Sequence, residues 1–116
     1  MSNIIEATSE TFGQEVLQAG EPVLVDFYAP WCGPCRMLAP LLEGLAEEFV
    51  GRVKVVKVNV DDAGAVAARY GITGVPTLMI FKGGLIIDTM VGFSSPRALV
   101  EKLKSVAPAA PVSLEA

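Results

Sequence analysis

The sequence predicts an α/β domain: a central mixed sheet of five strands, parallel first and finished by an antiparallel hairpin, with four helices over its two faces. Three observations predict it. Val23-Leu24-Val25-Asp26-Phe27-Tyr28-Ala29 is a nearly continuous apolar run, the pattern of a strand buried on both faces. From Arg36 to about Phe49 the apolar residues recur at helical spacing, and 53–60 then alternates and is rich in valine. Strand, helix and strand in that order make a right-handed crossover between parallel strands. Finally, two strand patterns flank Gly83-Gly84, which marks a tight hairpin.

Ile4-Ile5 opens the chain as a short strand. Thr8 and Ser9 can cap a helix whose apolar residues are Phe12, Val16 and Leu17, with Gly20 as its stop. Pro22 cannot donate to a ladder, so the next strand starts at or just after it. In the long helix, Leu38, Leu42, Leu45 and Phe49 share one face, while Glu43, Glu47 and Glu48 point elsewhere. Pro40 removes one ladder bond there and is expected to kink the axis; Gly51 ends the helix. Asp61 or Asp62 is expected to cap a short alanine-rich helix that reaches Tyr70 and closes at Gly71. The hairpin strands are 77–81 and 85–87. Ser94 or Ser95 caps the last helix, with Pro96 in its first turn and Leu99, Val100, Leu103 and Val106 on its apolar face. Residues 1–106 thus form one domain, and 107–116 read as a flexible Ala/Pro-rich tail without function.

A chain of 116 residues can bury a core without disulfide or metal staples. Apolar residues at 52% against 19% charged ones make a globular composition, not a disordered one. A net charge of −4 with no basic cluster argues against nucleic acid and anionic membrane surfaces. The apolar runs are too short to span a bilayer. The N-terminus has neither a basic n-region nor an h-region, so a cytoplasmic location is expected. Histidine is absent, which excludes a histidine base, a Cys-His nucleophile and every histidine-containing metal site.

The chemistry concentrates in Trp31-Cys32-Gly33-Pro34-Cys35, which holds the only two cysteines and the only tryptophan. It sits where the buried strand gives way to the long helix. A thiol attacks a disulfide as its thiolate, and a helix N-terminus stabilises an anion. Cys32 is therefore expected to be the nucleophile and the more exposed thiol. Cys35, one turn on, is close enough to pair with it and acts as the resolving thiol. A static disulfide is the alternative, but so short a loop constrains the unfolded chain little. A structural zinc site needs four ligands, so only a dimer sharing four cysteines supplies one. Pro34 brings no N–H and no histidine cation lies between the cysteines, so the thiolate is only moderately stabilised, which predicts a reductant.

Asp26 interrupts the apolar strand. Either it escapes to water at an edge or bulge, or it is buried with a raised pKa and serves as general base to Cys35. Lys57 stands among Val55, Val56 and Val58, and the pattern alone leaves open whether it lies on the solvated face of that strand. Val75-Pro76 reads as an ordinary trans turn before a strand. Trp31, Gly33, Pro34, Ile72, Gly74, Val75, Gly92 and Phe93 can form an apolar, glycine-bearing surface around Cys32 that suits docking of protein segments. In the alternative, Ile72 and Phe93 are core residues.

Trp31-Cys32-Gly33-Pro34-Cys35 after a buried strand resembles the active site of the thioredoxin family. Gly74-Val75-Pro76-Thr77 resembles that family's cis-proline loop, and Asp26, Lys57, Pro40 and Gly92 fall where the family has them. The resemblance spans roughly residues 3–106. It implies a thioredoxin-like fold and a general dithiol–disulfide oxidoreductase, an electron carrier that reduces the disulfides of target proteins. It assigns Cys32 as nucleophile, Cys35 as resolving thiol, Asp26 as buried base and Lys57 as a modulator of Asp26. It makes the Val75–Pro76 bond cis and turned toward the cysteines, with the Val75 backbone free to pair with an extended substrate. It implies no bound cofactor, a redox-active disulfide recharged by an NADPH-dependent flavin reductase (thioredoxin reductase), and a monomer. Tyr28 departs from the family, many of whose members carry a second tryptophan there. Phe93-Ser94-Ser95 is variable in the family and bears on partner choice. The rival readings are a disulfide oxidase or isomerase, a thioredoxin-like binding or chaperone-like module, and a cysteine-bridged metal dimer.

Overall fold

A computed structural model describes residues 2–93 and 95–109. Its centre is strand β2 (Val23–Tyr28), nearly all of whose residues are buried. On one side β2 pairs in parallel with β3 (Lys54–Asn59), which pairs in parallel with β1 (Ile5–Ala7). On the other side it pairs antiparallel with β4 (Thr77–Lys82), which forms a hairpin with β5 (Leu85–Val91). The order β1-β3-β2-β4-β5 is the mixed five-stranded sheet expected, with β2 protected on both edges.

Alternation along β2 sorts the core into two layers. Val23, Val25 and Phe27 face Phe12, Val16 of the π-helical turn that follows it (Gly13–Leu17) and Val66 of helix α2 (Gly64–Arg69). Phe12 and Tyr70 both stack near Phe81 there, with ring centroids 5.8 and 5.4 Å away. Leu24 faces the opposite layer, built by Leu38, Leu42 and Leu45 of α1 (Gly33–Glu48) and Leu99 and Leu103 of α3 (Pro96–Val106). Each such fully buried leucine contributes about 1.5–3 kcal/mol of transfer free energy. Asp26, two residues from Leu24, lies on this same α1 side.

Several element ends differ from the sequence expectation. Helix α1 begins at Gly33, three residues before the amphipathic pattern starts, with Cys32 as its cap, as its place between strand and helix predicts. It continues through Pro40. Thr8 and Thr11 accept each other's backbone N–H and hold a turn, but the regular segment after it is a π turn in which the Gln18 N–H reaches the Gly13 carbonyl. Neither Asp61 nor Asp62 caps α2: its cap is Ala63, without a side-chain bond. Asn59 builds the turn before it, its Oδ1 accepting from the Asp61 N–H, and the Asp61 carboxylate is engaged elsewhere. Strand β5 runs four residues past Ile87, because an exposed edge strand tolerates Asp88 and Thr89. The hairpin turn is as expected, with positive φ at Gly83 (60°) and Gly84 (80°), the pattern of a two-residue I′ loop. At α3, Ser95 accepts from the Ala98 N–H, as expected of a cap. Beyond α3, Ala107 packs on the core and the Pro108 carbonyl accepts from Arg52 Nε; 110–116 lie outside the described residues. Among those described, no helix is long and apolar enough to cross a membrane.

Candidate active site

Strand β2 and helix α1 meet at the two cysteines. Cys32 has extended backbone angles (φ −85°, ψ 113°), and its sulfur accepts the Cys35 N–H at 3.2 Å. The sulfur therefore occupies the place where an N-cap oxygen usually sits. Pro34 falls in the first turn, where a missing N–H costs nothing. An anionic sulfur at this position gains both a direct N–H donor and the positive end of the helix. Cys32 and Cys35 are joined as a disulfide, with Cα atoms 5.3 Å apart.

The expected difference in thiol exposure is absent. Cys32 is 4% exposed and Cys35 3%. The capping position folds the Cys32 side chain back over its own helix, and Val75 packs against it. The Val75–Pro76 bond is cis, and the Val75 carbonyl oxygen lies 3.7 Å from Cys32 Sγ. In the disulfide that sulfur has no proton, so this is a contact; the reduced thiol has an acceptor there. The loop is tied down by Thr77 Oγ1, which donates to the Gly74 carbonyl, and by the Gly92 N–H, which donates to the Pro76 carbonyl.

Around this centre the surface is apolar. Trp31 is 68% exposed, and its indole N–H donates to Asp61 Oδ2 at 3.1 Å. Trp31, Ile72, Gly74 and Val75 line a hollow of about 150 Å³ on one side of the disulfide. Pro34, Met37, Leu38 and Phe93 line another of about 200 Å³. Phe93 is half-buried and also packs on the α1–α3 layer, so it serves core and surface at once. Ile72 likewise packs on the other layer.

Asp26 does not escape to water. It is fully buried, and neither carboxylate oxygen has a hydrogen-bond partner among the described residues. Burial pushes its pKa up from 3.8 to about 7, against the opposing pull of Lys57; Glu6 adds a smaller push upward. Lys57 is the register partner of Asp26 on β3 and is half-buried, not on a freely solvated face. Its ammonium sits 4.3 Å above the Tyr28 ring. A pocket of about 270 Å³ lined by Cys35, Tyr28, Arg36 and Lys57 opens behind Cys35.

The residues picked from the sequence thus converge on one end of β2. Sequence reasoning missed Asp61, Met37 and Glu6. In the sequence Asp61 is one of two candidate caps, and no local pattern reveals its bond to Trp31. Met37 carried a readable signal: it is apolar yet falls off the buried Leu38/Leu42/Leu45 stripe, and it is 83% exposed. Glu6 becomes visible only through strand pairing.

The thioredoxin family model matches residues 3–105. The chain belongs to the thioredoxin family. It is 52% identical over 104 residues to Thioredoxin 1 of a Nostoc species, covering 90% of this chain and 97% of that one. It is 56% identical over 92 residues to Thioredoxin 1 of Synechococcus elongatus, covering 79% and 86%. To the thioredoxin of Haemophilus influenzae it is 47% identical over 92 residues, covering 79% and 86%. With a disulfide-forming cysteine pair at a helix N-terminus, this thioredoxin-family protein is a general dithiol–disulfide oxidoreductase with protein-disulfide reductase activity. Its redox-active group is the disulfide, and thioredoxins carry no bound cofactor.

Proposed function

We propose that the reduced protein works by a two-step exchange with the roles divided between Cys32 and Cys35. The Cys32 thiolate attacks one sulfur of a target disulfide, forming a mixed disulfide and releasing the other target sulfur as a thiolate. Asp26, ionised, takes the proton of the Cys35 thiol. The Cys35 thiolate attacks Cys32 Sγ, closing the Cys32–Cys35 disulfide and releasing the second target thiolate. Two electrons pass from this chain to the target. The observation that carries the reading is the Cys35 N–H on Cys32 Sγ, since only the sulfur that caps the helix is stabilised as an anion before attack. The buried, unpartnered carboxylate of Asp26 supports its role as base, because it holds a proton acceptor near neutral pH beside the helix that carries Cys35.

Trp31, Gly33, Pro34, Gly74, Val75, Pro76, Gly92 and Phe93 receive the substrate. The extended target segment runs along the Val75 backbone, as in strand addition. Lys57 tunes Asp26. The oxidised form is recharged by an NADPH-dependent flavin reductase, and the protein acts as a cytoplasmic monomer in electron transport between that reductase and its targets.

The test is trapping. Cys35→Ser should accumulate a mixed disulfide through Cys32, read by intact mass, while Cys32→Ser should accumulate none with the same target. Trapping through Cys35 instead overturns the assignment of roles.

A further inference from the structure

Glu6, Lys57 and Asp26 form a row across the sheet. Glu6 is opposite Lys57 in the β1–β3 register, and Lys57 is opposite Asp26 in the β3–β2 register. Leu78, opposite Asp26 on β4, is apolar. A single cation therefore stands between two carboxylates on the α1 side. By solvation alone the exposed Glu6 is the easier partner, because pairing there requires no burial of charge. Yet Lys57 is not paired with it. The Tyr28 hydroxyl lies 2.9 Å from each Glu6 oxygen and donates its one proton to that carboxylate in a shared bond. The Lys57 ammonium rests instead on the face of the Tyr28 ring.

We propose that Tyr28 is a positioning residue for the exchange reaction: by occupying Glu6 it keeps Lys57 available to Asp26. The phenol suits this task because burial, and then Glu6 itself, hold its pKa above the ordinary tyrosine value, so it remains a donor wherever the protein works. The other charges near the row are few. Arg36 of α1 shares the pocket with Lys57, but its guanidinium donates to the Pro30 carbonyl at 2.9 Å. Asp62, before α2, acts on Tyr28 through its charge. Cys35 of α1 titrates only in the dithiol form.

The inference rests on Asp26 as the base of the second step, and its test separates the two. The Asp26 midpoint is read from its side-chain carboxyl carbon by NMR in the oxidised protein, and the pH profile of the second step is measured alongside. Tyr28→Phe frees Glu6 to capture Lys57. The Asp26 midpoint then moves to higher pH, leaving about threefold less Asp26 ionised at about pH 6. Glu6→Gln moves the midpoint to lower pH. In Glu6→Gln/Tyr28→Phe the upward movement disappears, since no carboxylate is left to capture the lysine. A Tyr28→Phe midpoint that stays or falls, or an upward shift that survives in the double variant, overturns the inference. If instead the midpoints move as stated but the second-step profile ignores them, the role of Asp26 as base fails while the control of its charge by Tyr28 stands.

Discussion

Asp26 carries an energetic cost that grows with pH. Its folded pKa, about 7, lies above the ordinary 3.8. Below pH 3.8 both states are protonated and ionisation adds no cost. Between the two values the unfolded chain loses its proton first, so the unfolded state binds fewer protons and stability falls as pH rises. Above about 7 the loss is complete and corresponds to about 4 kcal/mol. Asp26→Asn removes this term but leaves a buried amide without partners, costing about 1–3 kcal/mol. The variant should therefore be about 2 kcal/mol more stable at pH 8 and no more stable at pH 4, in denaturant titrations at both. The same variant should slow closure of the Cys32–Cys35 disulfide. A gain in stability independent of pH would mean that folding does not raise the Asp26 pKa above its unfolded value.

Between elements, short contacts fix the geometry around the disulfide. Asp61, two residues past β3, holds the Trp31 indole that borders the hollow beside the disulfide. Asp61→Ala should leave stability within about 0.5 kcal/mol of the parent, as at an ordinary surface site. It should also increase the mobility of Trp31, the only tryptophan, which time-resolved fluorescence anisotropy reads directly. At the far end of the sheet the β4–β5 hairpin abuts the π turn. A Cβ on Gly84 meets the Leu17 carbonyl oxygen at 3.2 Å in a backbone with φ +80°, whereas one on Gly83 meets nothing within 4 Å. Gly84→Ala should cost about 1–3 kcal/mol and Gly83→Asn much less, by urea denaturation.

For the whole molecule, the sheet separates two packed layers that touch different faces of β2. Leu42→Ala empties part of the α1–α3 layer and should cost about 2–5 kcal/mol. Phe12→Leu disturbs the aromatic cluster on the opposite face and should cost less. Because the sheet lies between these sites, the two losses should add within about 0.5 kcal/mol. Both should lower a single cooperative transition, as expected of one small domain. Two resolved transitions in the double variant would show that the layers unfold separately.

The order of elements, the crossover, the hairpin and the thiol pair at the head of a helix were all legible in the sequence. Each is written locally, in the period of apolar residues, in paired glycines or in the spacing of two cysteines. The apolar neighbours of Asp26 favoured its burial, but the pattern left an edge position open. Only the strand order, with β3 and β4 on either side of β2, closes that escape and raises its pKa. The pattern left the face of Lys57 open, and strand pairing set it between Glu6 and Asp26 and above Tyr28. Asp61 looked like a cap until folding brought Trp31 to it, 30 residues away in sequence. Cys32 looked exposed until the Val75 loop, 43 residues on, covered it. The sequence by itself determined the fold and the redox pair, because propensity and periodicity act over a few residues. The tertiary structure alone decided which charges surround that pair, because those contacts join strands distant in the chain and each depends on burial that no local pattern records.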